Sequence, residues 1–339
     1  MDIKAKILLI IGLLLNALFI IGCGASKDMQ KENIVWPSPP DEARIKYLKT
    51  YQSEDDFISK FGAITQALAG KSGNIRFDRP FDICTDGNGR IYVSDVTQGV
   101  ILIDEVKREM EALGGNVPVP LGNPLGIAYG NGKIYVGIAE LGQVVALSPD
   151  GKFLKLIGKP GAFPNPVDVD FDPLHNRVVI VDNKLHQVFV YSEQGDSILT
   201  IGKRGDQDGE FNYPQSSAVD SAGNIYIVDA FNFRIEVFSP EGKFLRKYGQ
   251  QGNVFGTFAR PKGIAIDTHQ NIYVVDAVHQ NFQIFNNNFE FLMFVGKFSN
   301  NDNWGFQNPI GICVDRKNSI YVVDQLNQRV QIFQLLKGD

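Results

Sequence analysis

The chain has 339 residues, is 44% hydrophobic, and carries 33 basic against 38 acidic side chains for a net charge of −5. That length and hydrophobic share allow a large buried core, and the slightly acidic balance excludes the basic footprint that nucleic-acid binding needs.

In chain order, Lys4 and Lys6 precede an apolar run from Ile7 to Ile21, too short for a comfortable membrane span, that ends in Ile20-Ile21-Gly22-Cys23. Charge, apolar run, small residue and cysteine in that order resemble the lipobox of bacterial lipoproteins. The resemblance implies cleavage before Cys23 and acylation of that residue, as against an uncleaved signal anchor. Residues 1–22 are therefore expected to be a signal peptide. Residues 23–41, with Ser26, Asn33, Pro37, Ser38, Pro39 and Pro40, are expected to be the lipidated cysteine and a tether. Gly24 stands where an Asp would argue for retention, which by analogy with Gram-negative lipoproteins favours the outer membrane. The expected location is the bacterial cell envelope, with the lipid as the contact to the membrane. Loss of the signal moves the charge to −6.

Residues 42–339 read as one domain. Arg44–Tyr51 alternates polar and apolar residues, the pattern of a strand. Ser53 to Gly70 predicts a short helix: Ser53 as N-cap, acids Glu54, Asp55 and Asp56 in the first turn, Phe57, Phe61, Ile64 and Leu68 on one face, and Gly70 as the stop.

Beyond it the chain repeats itself. Pro80, Pro124, Pro166, Pro214, Pro261 and Pro309 stand 44, 42, 48, 47 and 48 residues apart, and three before each is Phe77, Leu121, Phe163, Phe211, Phe258 or Phe306. Each period holds four short strands rich in β-branched and aromatic residues, split by Gly, Asn and Asp turns. A sheet of that size cannot bury both faces alone. Stacked at this period, such units predict an all-β, six-bladed β-propeller of four-stranded antiparallel blades. The last unit supplies three strands before the chain ends at Asp339, so Arg44–Tyr51 is expected to complete blade six and close the ring.

The phrases Asn224-Ile225-Tyr226-Ile227-Val228-Asp229 and Asn232-Phe233-Arg234-Ile235, with the link Gly202-x-x-Gly205-x-x-x-Gly209-x-Phe211, are similar to the NHL repeat. Together with the lipobox, the chain resembles bacterial NHL-type six-bladed lipoproteins. That resemblance specifies the fold strongly and the activity weakly. Blade two departs from it with Gly130 and Ile138 in place of Asp, and blade three has one extra residue around Pro173 to Arg177.

Recurrent aspartates close the first strands (Asp86, Asp220, Asp267, Asp315) and the second strands (Asp95, Asp182, Asp229, Asp276, Asp324). Their repetition argues for turn building rather than ligand binding. Cys84 and Cys313 occupy equivalent positions that elsewhere hold Ala128, Asp170, Ala218 and Ala265. Equivalent side chains point the same way around a ring, so buried thiols are expected rather than a seam disulfide.

Departures from the repeat mark two candidate sites. Two residues past the anchor prolines stand Asp82, Gly126, Asp168, Ser216, Gly263 and Gly311. Asp82 and Asp168, with Ser216, Gln215 and Lys262, are candidates for a polar cluster at the channel mouth that takes a ligand or cation. The loops between second and third strands share a face with the long links. They carry the candidate partner residues Phe231, Asn232, Phe233, Val278, His279 and Leu326, with Trp304 from a link and Arg234 and Arg329 as polar anchors.

Some relatives suggested by the resemblance, the amidating lyases, hold zinc through channel histidines, and related lactonases bind calcium. Here His175, His186, His269 and His279 stand at inequivalent positions. No Ser-His-Asp set or phosphate loop appears. The expected function is a monomeric, lipid-anchored module that binds envelope protein, with no cofactor. The alternative is a periplasmic lyase or hydrolase using Ca²⁺ or another divalent cation at the channel mouth, for which the sequence fixes no metal ligand set.

Overall fold

The computed structural model describes residues 34–57, 75–115, 117–302 and 304–336. The chain divides into two units, 1–34 and 35–339, and the second is a ring of six antiparallel sheets. The expected signal peptide, Cys23 and most of the tether lie outside the described residues, as do residues 58–74 of the expected helix. The described start of that helix, Glu54–Phe57, is a 3-10 turn. It is held by the Asp56 carboxylate, which accepts the Gln52 and Ser53 amides at 2.6 and 3.0 Å. No helix among the described residues is long and apolar enough to cross a membrane.

Each of blades one to five is a four-stranded sheet taken in sequence from its anchor proline, from Pro80–Thr85 outward to Glu109–Leu113 in blade one, and so on to Phe291–Val295 in blade five. Blade six takes Pro309–Val314, Ser319–Asp324 and Arg329–Leu335 from the end of the chain and Ile45–Tyr51 from its start. The expected closure is what the structure has, with Ile45 opposite Leu335 and Tyr51 opposite Val330. One strand was not expected: Val35–Trp36, inside the segment read as tether, pairs outside the closing strand and makes blade six five-stranded. The proline-rich composition of residues 37–40 hid it. Trp36 packs edge-on against Phe333 and Trp304, with ring centroids at 5.7 and 5.8 Å.

The core is not central. It consists of six apolar layers, one between each pair of neighbouring blades, as the inability of a lone blade to bury its faces requires. In every blade but the second, an aromatic three residues before the anchor proline wedges into the layer behind its own blade: Phe163, Phe211, Phe258 and Phe306 are wholly buried and Phe77 almost so. Full burial of a Phe contributes about 1.5–3 kcal/mol. Four residues fit beneath these rings only because they lack a side chain. At Gly202 (φ +85°), for example, a Cβ would lie 2.3 Å from the Phe211 ring.

The repeated aspartates are structural. Those ending second strands are completely buried and tie the incoming link to the loop that follows. Asp95 accepts the Asp78 amide at 2.8 Å and the Thr97 amide at 3.0 Å; Asp276 does the same with Ala259 at 2.8 Å and Val278 at 3.0 Å. Those ending first strands accept amides of their own turn, as Asp315 does from Lys317 and Ser319, both at 2.8 Å. Blade two has Gly130 at this place because a Cβ there would meet the Phe171 ring at 2.1 Å. Cys84 and Cys313 are free thiols that pack into different layers, Cys84 between blades one and two and Cys313 between blades six and one.

Candidate functional site

In an antiparallel blade the innermost strand starts on the face where the second strand ends. The anchor prolines and the loops between second and third strands therefore share one face, with the channel mouth at its centre. There a cavity of ≈ 40 Å³ is lined by Phe81, Asp82, Asp168, Gln215, Ser216 and Lys262, among others, and so brings all five mouth candidates together. It has room for about two or three waters.

The geometry also shows what the residues two past each proline do. Their side chains point sideways, into the next blade. Asp82 accepts the Ile127 amide at 2.9 Å; Asp168 accepts the Ser217 amide at 2.8 Å and its hydroxyl at 2.7 Å; the Ser216 hydroxyl accepts the Ile264 amide at 3.3 Å. At the other three junctions the strands close directly on each other. A Cβ on Gly126 would lie 2.3 Å from Asp168 Cα, on Gly263 2.4 Å from the Ile310 carbonyl oxygen, and on Gly311 2.8 Å from Asp82 Cα. The alternation of acid, serine and glycine at this position thus reports two ways of joining innermost strands, by a side-chain bridge or by backbone contact. Asp82 and Asp168 line the cavity, but Asp168 already accepts three hydrogen bonds across its junction and Asp82 one.

One acid was not singled out from the sequence. Asp170, four residues after Pro166, stands where the other blades have Cys or Ala. It accepts the Phe171 amide at 2.7 Å. Burial pushes its carboxyl up to about 7, with Asp168 adding to the effect. Asp168 is pushed up to about 6 by burial, against the opposing hydrogen bonds from Ser217 and Ser216. Burial raises Asp82 well above the ordinary carboxylate range, and Asp168 raises it further. Burial thus raises all three acids above the ordinary carboxylate range. The signal was legible: an acid at a position otherwise reserved for small residues. Lys262 donates to Gln215 Oε1 at 2.7 Å, and burial followed by the nearby Arg260 lowers its ammonium to about 8.

Around the mouth the partner candidates divide. Phe231, Val278 and Leu326 stand two residues after the buried aspartates of blades four, five and six and are 54%, 55% and 61% exposed. Tyr213 packs edge-on against Phe231 with centroids 5.2 Å apart and extends this apolar arc. The other candidates face inward. Asn232 bridges Asp229 and the Gly205 carbonyl at 2.7 and 2.9 Å, and Phe233 turns in a left-handed conformation onto the layer between blades four and five. Arg234 and Arg329 are buried clamps rather than surface anchors. Arg234 Nε lies 2.9 Å from Asp229 and its guanidinium donates to the carbonyls of Asp206, Gln207 and Glu210; Arg329 Nε lies 2.8 Å from Asp324 and donates to Asp302 and Gly305. His279 leans on Asp276, with Nδ1 3.7 Å from the carboxylate. Trp304 is engaged by Trp36 on one side and by Lys297 Nζ, 4.6 Å from its ring centroid, on the other.

The four histidines do not converge. His175 sits 2.8 Å from Asp172 in a turn of the opposite face, while His186 Nδ1 accepts the Tyr213 amide at 3.1 Å. Among the described residues no three His, Cys, Asp or Glu side chains are grouped as a metal ion would need.

Comparison with known families gives the architecture again. A family model described as 6-bladed beta-propeller matches residues 171–236 and 221–296, and the NHL repeat model matches 306–333. The chain is a six-bladed β-propeller, and its last unit matches the NHL repeat. No curated protein sequence matches it. Among solved structures, it is similar to a structural genomics protein of unknown function from Bacteroides thetaiotaomicron, with 17% identity, a TM-score of 0.62, and 76% of this chain and 70% of that one covered. A streptogramin B lyase aligns with 14% identity and a TM-score of 0.58 over 86% of this chain and 99% of that one. An auxiliary nutrient binding protein from the same Bacteroides aligns with 14% identity and a TM-score of 0.59 over 76% and 69%. At such identities the likeness is one of fold.

Proposed function

We propose that this chain is a lipid-anchored propeller that serves as a protein-interaction module in a bacterial cell envelope and meets its partner with the face around the channel mouth. The observation that carries this reading is the arc of Phe231, Val278 and Leu326, one exposed large apolar residue at the same loop position on three successive blades, with Tyr213 beside it. Structural roles at that loop position are met by the buried aspartates, so nothing in the fold requires large apolar side chains facing water there. Loop-borne aromatic and aliphatic groups on a rigid ring suit protein contact. The lipobox ending at Cys23 supports the anchor.

The test is chemical cross-linking in intact cells, comparing the native chain with Phe231→Ala, Val278→Asp and Leu326→Asp. Loss of captured protein with unchanged melting supports the reading; undiminished capture by all three variants removes it. For the anchor, Cys23→Ser should abolish lipid labelling and membrane fractionation. A second reading, a divalent cation at the mouth serving lyase or hydrolase chemistry, draws on the cavity beside Asp82 and Asp168. The hydrogen bonds those carboxylates already accept weigh against it, and metal analysis of the purified chain decides it.

A further inference from the structure

The chain joins its ring at the rim of blade six. Val35–Trp36 is the outermost strand there, and Trp36 packs on Phe333 and on Trp304, which stands on the link from blade five. Eleven residues, Cys23 to Asn33, precede Ile34. A segment of that length reaches at most about 40 Å when fully extended. A lipid on Cys23 therefore tethers the ring by the side where blades five and six meet.

That side carries an exposed apolar patch. The outer strand of blade five, Phe291–Val295, reads Phe-Leu-Met-Phe-Val without a polar side chain, whereas those of blades one, two and four carry Glu109 and Glu111, Lys155, and Arg246 and Lys247. A bulge at Leu292 interrupts its register, which blunts the edge against added strands and leaves side chains as what the rim offers. Phe255 lies flat against Phe291 and Phe294, with centroids at 5.8 and 4.3 Å, and is exposed together with Val254, Leu292 and Phe298. In blade six the link aromatic Trp304 is instead covered by Trp36.

We propose that this patch docks on the lipid surface that holds Cys23, with Val254, Phe255, Leu292 and Phe298 entering the boundary between headgroups and acyl chains. The inference rests on the lipid-anchor part of the proposed function. Two observations favour lipid over a protein partner here. The tether junction and the patch lie on neighbouring blades, so the anchor raises the effective concentration of bilayer at this rim. The four side chains offer no hydrogen-bond donor or acceptor, whereas a protein interface carries about one hydrogen bond per 100–200 Å² and acyl chains need none. Apolar burial at the interface also supplies a second attachment beside acylation, of the kind that stable anchoring uses.

The chain's two tryptophans, Trp36 and Trp304, sit at this junction, so their fluorescence reads the contact. The lipidated full chain is placed in vesicles of dioleoylphosphatidylcholine with and without bromine on the acyl chains. Brominated vesicles should quench the native tryptophans at least about twofold more than those of the variant Phe255→Ser with Phe298→Ser, while both proteins float with the vesicles and melt alike. A polarity-sensitive dye on Val254→Cys should shift to the blue on vesicles, and the same dye on Leu174→Cys, in blade three across the ring, should not. A native chain without lipid label or flotation removes the anchor and the docking with it. A native chain that is labelled and floats, yet is quenched no more than the double variant, or whose two dyes respond alike, overturns the docking and leaves the anchor. A Val254 dye shift that grows with protein concentration without vesicles assigns the patch to a second copy and overturns the proposal as well.

Discussion

Stability should fall as pH rises from about 5 to about 8, and Asp170 is the residue through which to test the cause. Its carboxyl is pushed from 3.8 up to about 7, by burial first and by Asp168 second. An acid whose folded-state pKa lies above its unfolded value favours folding while it keeps its proton. Its contribution is whole below 3.8 and is lost as pH climbs through about 7. At about 1.4 kcal/mol per pK unit the full shift corresponds to about 4 kcal/mol. Asp170 is half-buried, so solvent screens part of the charge and about 2 kcal/mol is the expectation. For a ring of this size that is about 4 °C in melting temperature. Asp170→Asn keeps an acceptor for the Phe171 amide and removes the charge. Thermal melts followed by circular dichroism at the two pH values should show the variant about 1–2 °C above the native chain at the acid end, where part of the contribution is already lost, and about 4 °C above it at the alkaline end. Asp168, at about 6, and Glu236, at about 7, titrate in the same window, so the variant retains part of the native slope. Two parallel profiles, offset by a constant at every pH, would refute the argument.

Three further outcomes follow from the packing. Gly126→Ala must push blades two and three apart, because its Cβ would lie 2.3 Å from Asp168 Cα, and should lower the denaturation midpoint by an amount equivalent to about 1–3 kcal/mol; an unchanged midpoint would mean the junction is looser than described. Arg329→Ala leaves the Asp324 carboxylate buried and unpaired and should cost about 3–5 kcal/mol, whereas a surface anchor would cost almost nothing. Ile45→Ala, at a completely buried position of the closing strand, should cost about 2–5 kcal/mol in urea unfolding; a change within error would contradict closure by the N-terminal strand.

The blade count and the ring closure were legible because both are local patterns repeated. The phenylalanine, proline and aspartate of every period but the second do the same job in the same place, and a three-stranded last unit leaves a gap that one alternating segment fits. What the sequence did not disclose depends on direction around the ring. Asp82, Asp168 and Ser216 read as departures that invite a ligand, yet they bridge to Ile127, Ser217 and Ile264 of the next blade, while glycines at the other junctions let backbones touch. A one-dimensional repeat records that a position varies; only the closed ring says which neighbour the variation serves. Arg234 and Arg329 misled for the same reason, since their loops face water but their guanidinium groups turn back under the links. Val35–Trp36 carries too short a pattern to announce a strand, and its prolines argued for a tether.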